Sequence, residues 1–139
     1  MSSQNKEVSN QLTYEVWNSG NIDLIDEILS DDFIFHRAPP GLSNDREGFK
    51  QFVAMYRNAF PDVKFEVQSI IVEGDAVMSR WKASGTHTGE MMGIPPTGKK
   101  VTVTGMTENR IEAGKITTQW NEFDDLGMLQ QVGAMPTPE

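Results

Sequence analysis

Apolar positions along this chain change their spacing partway through. Val8, Leu12 and Val16 recur every four residues, the stripe of an amphipathic helix over Lys6–Trp17. Asn18-Ser19-Gly20-Asn21 breaks the stripe, and Asn21 is placed to cap a short helix over Ile22–Leu29, with Asp23 suiting its positive first turn. Phe33–Arg37 reads as an aromatic-rich strand, closed by the loop that Pro39-Pro40-Gly41 forces. Asn44 and Glu47 have the spacing of a capping box, and Phe49, Phe52, Val53, Tyr56 and Phe60 then step by three and four along a helix ended by Pro61-Asp62. Beyond that point the period is two. Val63, Phe65 and Val67 alternate with Lys64, Glu66 and Gln68, so Val63–Val72 is a strand. Glu73-Gly74-Asp75 turns it into a strand over Ala76–Thr86. Val101–Glu112 and Lys115–Phe123 follow as two more strands, joined by a tight turn at Ala113-Gly114. A last short helix, Asp125–Val132, leads to a Pro-containing tail.

Helices first and antiparallel strands after is the α+β pattern, with no repeat, linker or low-complexity stretch. The chain of 139 residues is therefore expected to be one domain over 1–139. A few long antiparallel strands curled around helices can leave a cone-shaped cavity, the kind of cleft that takes a small molecule. Charge narrows the partners. Twenty acidic and 12 basic residues leave a net charge of −8, the wrong sign for a phosphate backbone, so no nucleic acid is expected. No apolar run approaches the roughly 18 residues of a membrane span. The polar stretch Met1–Glu7 lacks the apolar centre of a signal peptide, and the expectation is a cytoplasmic protein. The absence of cysteine excludes disulfides, thiol nucleophiles and thiolate metal sites.

Two segments are more specific. Gly85-Thr86-His87-Thr88-Gly89-Glu90-Met91-Met92-Gly93-Ile94-Pro95-Pro96-Thr97-Gly98-Lys99 resembles the ester cyclases of the SnoaL-like group. These are polyketide-cyclase-like proteins of the nuclear-transport-factor-2-like superfamily. The segment Trp120-Asn121-Glu122-Phe123-Asp124-Asp125-Leu126-Gly127-Met128-Leu129-Gln130-Gln131-Val132-Gly133 is similar to that group's C-terminal signature. The resemblance covers nearly the whole chain. It implies a cone of curved antiparallel sheet packed with about three helices, assembled as a homodimer. It also implies a reaction without cofactor or metal, the intramolecular aldol closure of a polyketide methyl ester by an acidic general acid/base. Asp124 stands at the matching position. Glu108 and Arg110 stand where the characterised cyclases tend to carry Gln and His. The fold hosts isomerases, cyclases, hydrolases and binders, so it does not fix the reaction.

The chemistry gives Asp124 a task. Moving a proton from beside a carbonyl to its oxygen needs one group that both takes and gives, and a carboxyl enclosed by apolar walls holds its proton closer to neutrality. Trp17, Tyr56, Trp81 and Trp120 are the expected aromatic walls. Thr118, Trp120 and Glu122 share the strand parity of Asp124, so that face looks into the cone if Asp124 does. The alternative is that Asp124 and Asp125 both serve as capping acids of the last helix. His36 is the second catalytic candidate, opening onto the pocket by family resemblance, or else a structural residue of its strand. His87 contacts substrate or holds its Thr-rich turn. Glu108 and Arg110, two apart on one face, bind and orient a ligand carbonyl or carboxylate, or form a solvated pair. Met106 belongs to the same face and can line a ligand site or pack.

Other signals fail. Gly93-Ile94-Pro95-Pro96-Thr97-Gly98-Lys99-Lys100 approaches a phosphate-binding loop, but it lacks the final Ser or Thr, and two prolines remove amide donors. There is no Gly-x-Ser-x-Gly elbow, no His-Glu-x-x-His pair, and no Gly-x-Gly-x-x-Gly after a strand. Three functions remain: a cofactor-free cyclase, isomerase or lyase on a small carbonyl compound, an epoxide or ester hydrolase, and a module that binds an apolar ligand or a partner without chemistry.

Overall fold

A computed structural model describes residues 2–135; the Pro-rich end of the chain falls on 136–139, outside them. Helix α1 (Ser2–Gln11) runs on without a break into a π-helical stretch, Leu12–Asn18. A 3₁₀ turn, Ile22–Leu24, leads into the single-turn helix α2 (Ile25–Ile28) and then strand β1 (Leu29–Phe35). Helix α3 (Arg46–Ala59) follows, then strands β2 (Lys64–Glu73), β3 (Ala76–Thr86), β4 (Lys100–Glu112) and β5 (Lys115–Phe123), and helix α4 (Asp125–Gln131). The strands form one sheet in the order β1-β5-β4-β3-β2. Three neighbouring pairs are antiparallel, and β1 lies parallel to β5 at the edge. Among the described residues no helix is long and apolar enough to cross a membrane.

The alternating pattern of each strand sorts its residues to two faces. Across the central pair, Ser79 meets Thr107, Trp81 meets Gly105 and Ala83 meets Val103 on the inner face; Arg80 meets Met106 and Met78 meets Glu108 on the outer one. On β5, Ile116, Gln119, Asn121 and Phe123 look inward, and Trp120 and Glu122 look outward. A bulge at Thr117, where the β4–β5 register shifts, separates the inward Ile116 from the inward Gln119 by three residues instead of two. Phe33, Phe35, Phe49, Phe52 and Val53 pack with Leu12, Val16, Ile111 and Ile116 in one core cluster. A second cluster, with Phe60, Trp81, Met91, Val101, Val103 and Met128, lies towards the other end of the sheet. Tyr56 and Phe123 border both.

Several element boundaries differ from the sequence reading. The first helix begins at Ser2 and carries a π-stretch, which turns Asn18 onto the free edge of β2. There its side-chain amide donates to the Phe65 carbonyl (3.0 Å) and its Oδ1 accepts from the Phe65 amide (2.7 Å), while the Tyr14 hydroxyl accepts from Val67 (3.1 Å). An open strand edge is thus covered by side chains. Asn21 makes no side-chain cap. The cap of α3 is Asp45, not Asn44: the Gly48 amide donates to Asp45 Oδ1 at 2.9 Å. Asn44 is occupied otherwise, its carbonyl accepting from the Phe35 amide at 2.8 Å, so the helix starts one residue later. The Ser43 hydroxyl and then the Gly48 amide hold the Asp45 carboxyl below the usual carboxylate range.

Candidate functional site

Helices and the inner sheet face enclose a cavity of about 850 Å³, its open mouth included. Its walls are aromatic. Trp17 comes from the π-stretch, Phe52, Tyr56 and Phe60 from the α3 region, and Phe65, Trp81 and Phe123 from the sheet. Trp17 and Trp81 each lie 4.9 Å from Phe65, centroid to centroid, so the three rings form one continuous wall. Trp81 lies flat over the sheet because its register partner is Gly105, where a Cβ would come within 2.4 Å of the indole.

The floor is polar and uncharged. Trp81 Nε1 donates to Thr107 Oγ1 (2.8 Å), Thr107 Oγ1 donates to Asn121 Oδ1 (2.6 Å), and Asn121 Nδ2 donates to Gln119 Oε1 (2.8 Å). Gln119 Nε2 donates to Asn109 Oδ1 (2.7 Å), and Asn109 Nδ2 donates to Ser9 Oγ on α1 (3.1 Å). Buried amides are costly unless paired, and this chain pairs them with one another. The Ser79 and Tyr56 hydroxyls also line the cavity and have no hydrogen-bond partner among the described residues. Burial, reinforced by the negative charge of Asp125, pushes the Tyr56 phenol up to about 12, so it is a neutral donor at ordinary pH. No carboxylate, lysine, arginine or histidine is among the described lining residues.

Of the ten residues expected at the site, the structure brings three to the cavity: Trp17, Tyr56 and Trp81. Five of the other seven stand outside it because the face expected to look inward is the outer one. Met106, Glu108, Arg110 and Trp120 lie on that outer face, with Arg110 Nε paired to Glu108 at 3.1 Å. His36 stacks on Trp120 there, ring centroids 4.0 Å apart and planes within 3°. Arg37 beside it pairs with Glu122. His87 is fully buried under the segment that joins β3 to β4. Its Nδ1 bonds Thr97 Oγ1 at 2.9 Å, and its Nε2 has no partner among the described residues. Asp124 is exposed at the N-terminus of α4, where its Oδ1 accepts from the Gly127 amide at 2.9 Å. The enclosed carboxyl expected there is a helix cap, and Asp125 in the first turn is the acid whose charge acts on Tyr56.

Sequence reasoning missed Ser79, Thr107, Asn109, Gln119 and Asn121. A signal was present. Val101, Val103, Thr107, Asn109 and Ile111 share one parity on β4, so the aliphatic members mark the inner face and carry the two polar ones with them. On β5 the bulge disguises the same pattern.

The comparisons with known proteins agree with this architecture. Residues 7–132 match the SnoaL-like polyketide cyclase family. The nogalonic acid methyl ester cyclase of Streptomyces nogalater is 28% identical over 119 residues, 84% of this chain and 89% of that one. Among solved structures, IdmH of Streptomyces antibioticus is 36% identical with a TM-score of 0.81, covering 94% of this chain and 99% of that one. A candidate polyketide cyclase of Acidithiobacillus ferrooxidans is 34% identical with a TM-score of 0.82, covering 95% of this chain and 96% of that one. With nine-tenths of its length matched and the same cone of sheet and helices, the chain belongs to the SnoaL-like polyketide cyclase family.

Proposed function

We propose that this protein takes up a neutral, largely apolar carbonyl compound of polyketide type and promotes its ring closure or isomerisation. One observation carries the reading: a strip of uncharged hydrogen-bonding groups, Thr107, Asn121, Gln119 and Asn109, lies at the base of an aromatic cavity with no ionised side chain among its described lining residues. The aromatic walls fold a flexible chain and exclude water. A carbonyl over the strip is polarised by an amide proton of Asn121 and by the Tyr56 hydroxyl, which stabilises the enolate oxygen that develops as an activated methylene loses its proton. That proton leaves to water at the mouth. The carbanion then attacks the second carbonyl, which is held beside it, and the alkoxide formed as that C=O opens takes a proton back from water. In this reading Asp124 supports the fold and leaves the proton transfer to other groups.

The reading of a binding module without chemistry rests on the same lack of an enclosed base. A hydrolase finds no support, since Glu108, Arg110 and Asp124, the groups it would use, lie outside the cavity. The test uses nogalonic acid methyl ester, the compound named for the Streptomyces nogalater relative. Wild type should accelerate its ring closure over buffer, and Asn121→Leu should lose about 10²-fold of that rate, the usual cost of one oxyanion donor. Saturable quenching of Trp17 and Trp81 fluorescence without turnover would assign the binding module instead. Neither quenching nor turnover would refute the proposal.

A further inference from the structure

The hydrogen bonds of the cavity floor all run in one direction. Trp81 donates to Thr107, Thr107 to Asn121, Asn121 to Gln119, Gln119 to Asn109, and Asn109 to Ser9. An indole N–H can only donate, whereas hydroxyls and amides can do either. Thr107 therefore always accepts from Trp81 and keeps one proton to place. Giving it to Asn121 Oδ1 places it. Running the amides the other way would fill Thr107 with a second donor and leave its own proton without an acceptor among the described residues. Trp81 thus fixes which end of each amide points where. Asn121 Oδ1 and Gln119 Oε1 each have one lone pair engaged inside the chain, and each amide keeps a second N–H that no described residue accepts.

We infer that Trp81 is a positioning residue that sets the polarity of the floor through its Nε1–H, so that the cavity selects ligands presenting a hydrogen-bond acceptor, a ketone or enolate oxygen, and discriminates against donors of the same shape. The inference rests on the proposed ligand site and specifies the ligand chemistry it accepts. The Tyr56 hydroxyl, which lines the cavity without a partner among the described residues and stays a neutral phenol, offers such a ligand a further donor.

Three rigid tricyclic probes of nearly one outline test it. Fluorenone carries an acceptor on its central ring, fluorene carries neither acceptor nor donor, and carbazole carries a donor. Dissociation constants come from equilibrium dialysis, which does not depend on tryptophan fluorescence. Wild type should bind fluorenone about tenfold tighter than fluorene, the equivalent of one good hydrogen bond, and carbazole no tighter than fluorene. Trp81→Phe keeps an aromatic wall and removes the N–H, so fluorene affinity should hold while the fluorenone preference falls to about twofold. Loss of packing alone would weaken all three probes together. Asn121→Asp, which replaces the N–H donors with a carboxylate, should reverse the order in favour of carbazole. Equal binding of the three probes by wild type would overturn the inference and leave the cavity's role in ligand uptake standing. A fluorenone preference undiminished in Trp81→Phe would also overturn it. Failure of all three to bind would remove both readings.

Discussion

Alternate residues of β4 and β5 belong to two different environments. Inward, Thr107, Asn109, Gln119 and Asn121 are joined to one another and to Ser9, uncharged and shielded by aromatic rings. Outward, one residue along each time, stand Met106, Glu108, Arg110, Trp120 and Glu122, charged or exposed, with Glu108 paired to Arg110 and Glu122 to Arg37 on open surface. The outer groups look more like catalysts on paper, since they include acids, a base and a histidine stacked on tryptophan. The inner groups have the setting in which hydrogen bonds become strong, because low local dielectric strengthens a paired dipole and makes an unpaired one costly. Exposed ion pairs contribute little by comparison. Chemical type alone therefore does not locate the enclosed cavity, and facing does.

The widest separation between the faces should come from two adjacent residues of β1. Phe35 is 1% exposed and packs on Phe49 and Phe52, whereas Ile34 is 43% exposed. Phe35→Ala should cost about 3–5 kcal/mol of stability, and Ile34→Ala less than about 1 kcal/mol. Urea unfolding curves on the two variants make the measurement. Equal midpoints would mean that the face assignment of β1 is wrong.

On the floor itself, Gln119→Leu leaves Asn109 Oδ1 and Asn121 Nδ2 without partners, and the expected loss is about 2–3 kcal/mol. Glu108→Leu removes an acceptor from a pair that water can replace and should cost well under 1 kcal/mol. A loss at Glu108 as large as that at Gln119 would dissolve the contrast between the faces.

The order of elements, their approximate ends and the family are all readable along the chain, because periods of 3.6 and 2 and the turn residues are local signals. Trp17, Tyr56 and Trp81 are legible as well, since large aromatics beside a cone have few other places to go. The facing of β5 is harder. The bulge at Thr117 shifts the parity, so counting forward from Ile116 and counting back from Phe123 assign Gln119 to opposite faces. Asp124 is ambiguous for a different reason: a motif acid beside a glycine-containing helix start serves equally as catalyst or cap, and the sequence does not separate the two. At Gly127 even a Cβ would collide with the Asp124 carboxylate, at 2.2 Å, which shows how closely the cap is fitted.

A pH titration sharpens the comparison from the alkaline side. The Tyr56 phenol titrates near 10 in the unfolded chain and is raised to about 12 in the fold, so the folded state holds its proton longer. Its contribution is fully present below about pH 10 and is lost as pH rises through about 12, amounting to about 2–3 kcal/mol. In a Tyr14→Phe background, Tyr56 supplies the only phenolate absorbance, and its midpoint should lie near the raised value. Asp125→Asn should lower that midpoint, because it removes the charge that opposes ionisation, while Glu122→Gln on the outer face should leave it in place. A midpoint near 10 would mean that the phenol stands in water and that the cavity is wetter than its lining suggests.

The smallest effect separates the two roles of Asp124. As an N-cap it contributes through the bond from Gly127, so Asp124→Ala should cost about 1 kcal/mol of stability. Asn and Ser cap nearly as well as Asp, so Asp124→Asn and Asp124→Ser should restore most of that loss. Neither replacement can act as a carboxylate acid/base. The capping role therefore expects turnover and ligand affinity to remain within about twofold of wild type in the Asn and Ser variants, once each is measured well below its unfolding temperature. A catalytic role expects all three variants to lose turnover alike, whatever their stability. Full stability with abolished turnover in Asp124→Asn would return the chemistry to the rim of the cone and leave the inner floor as a binding surface only.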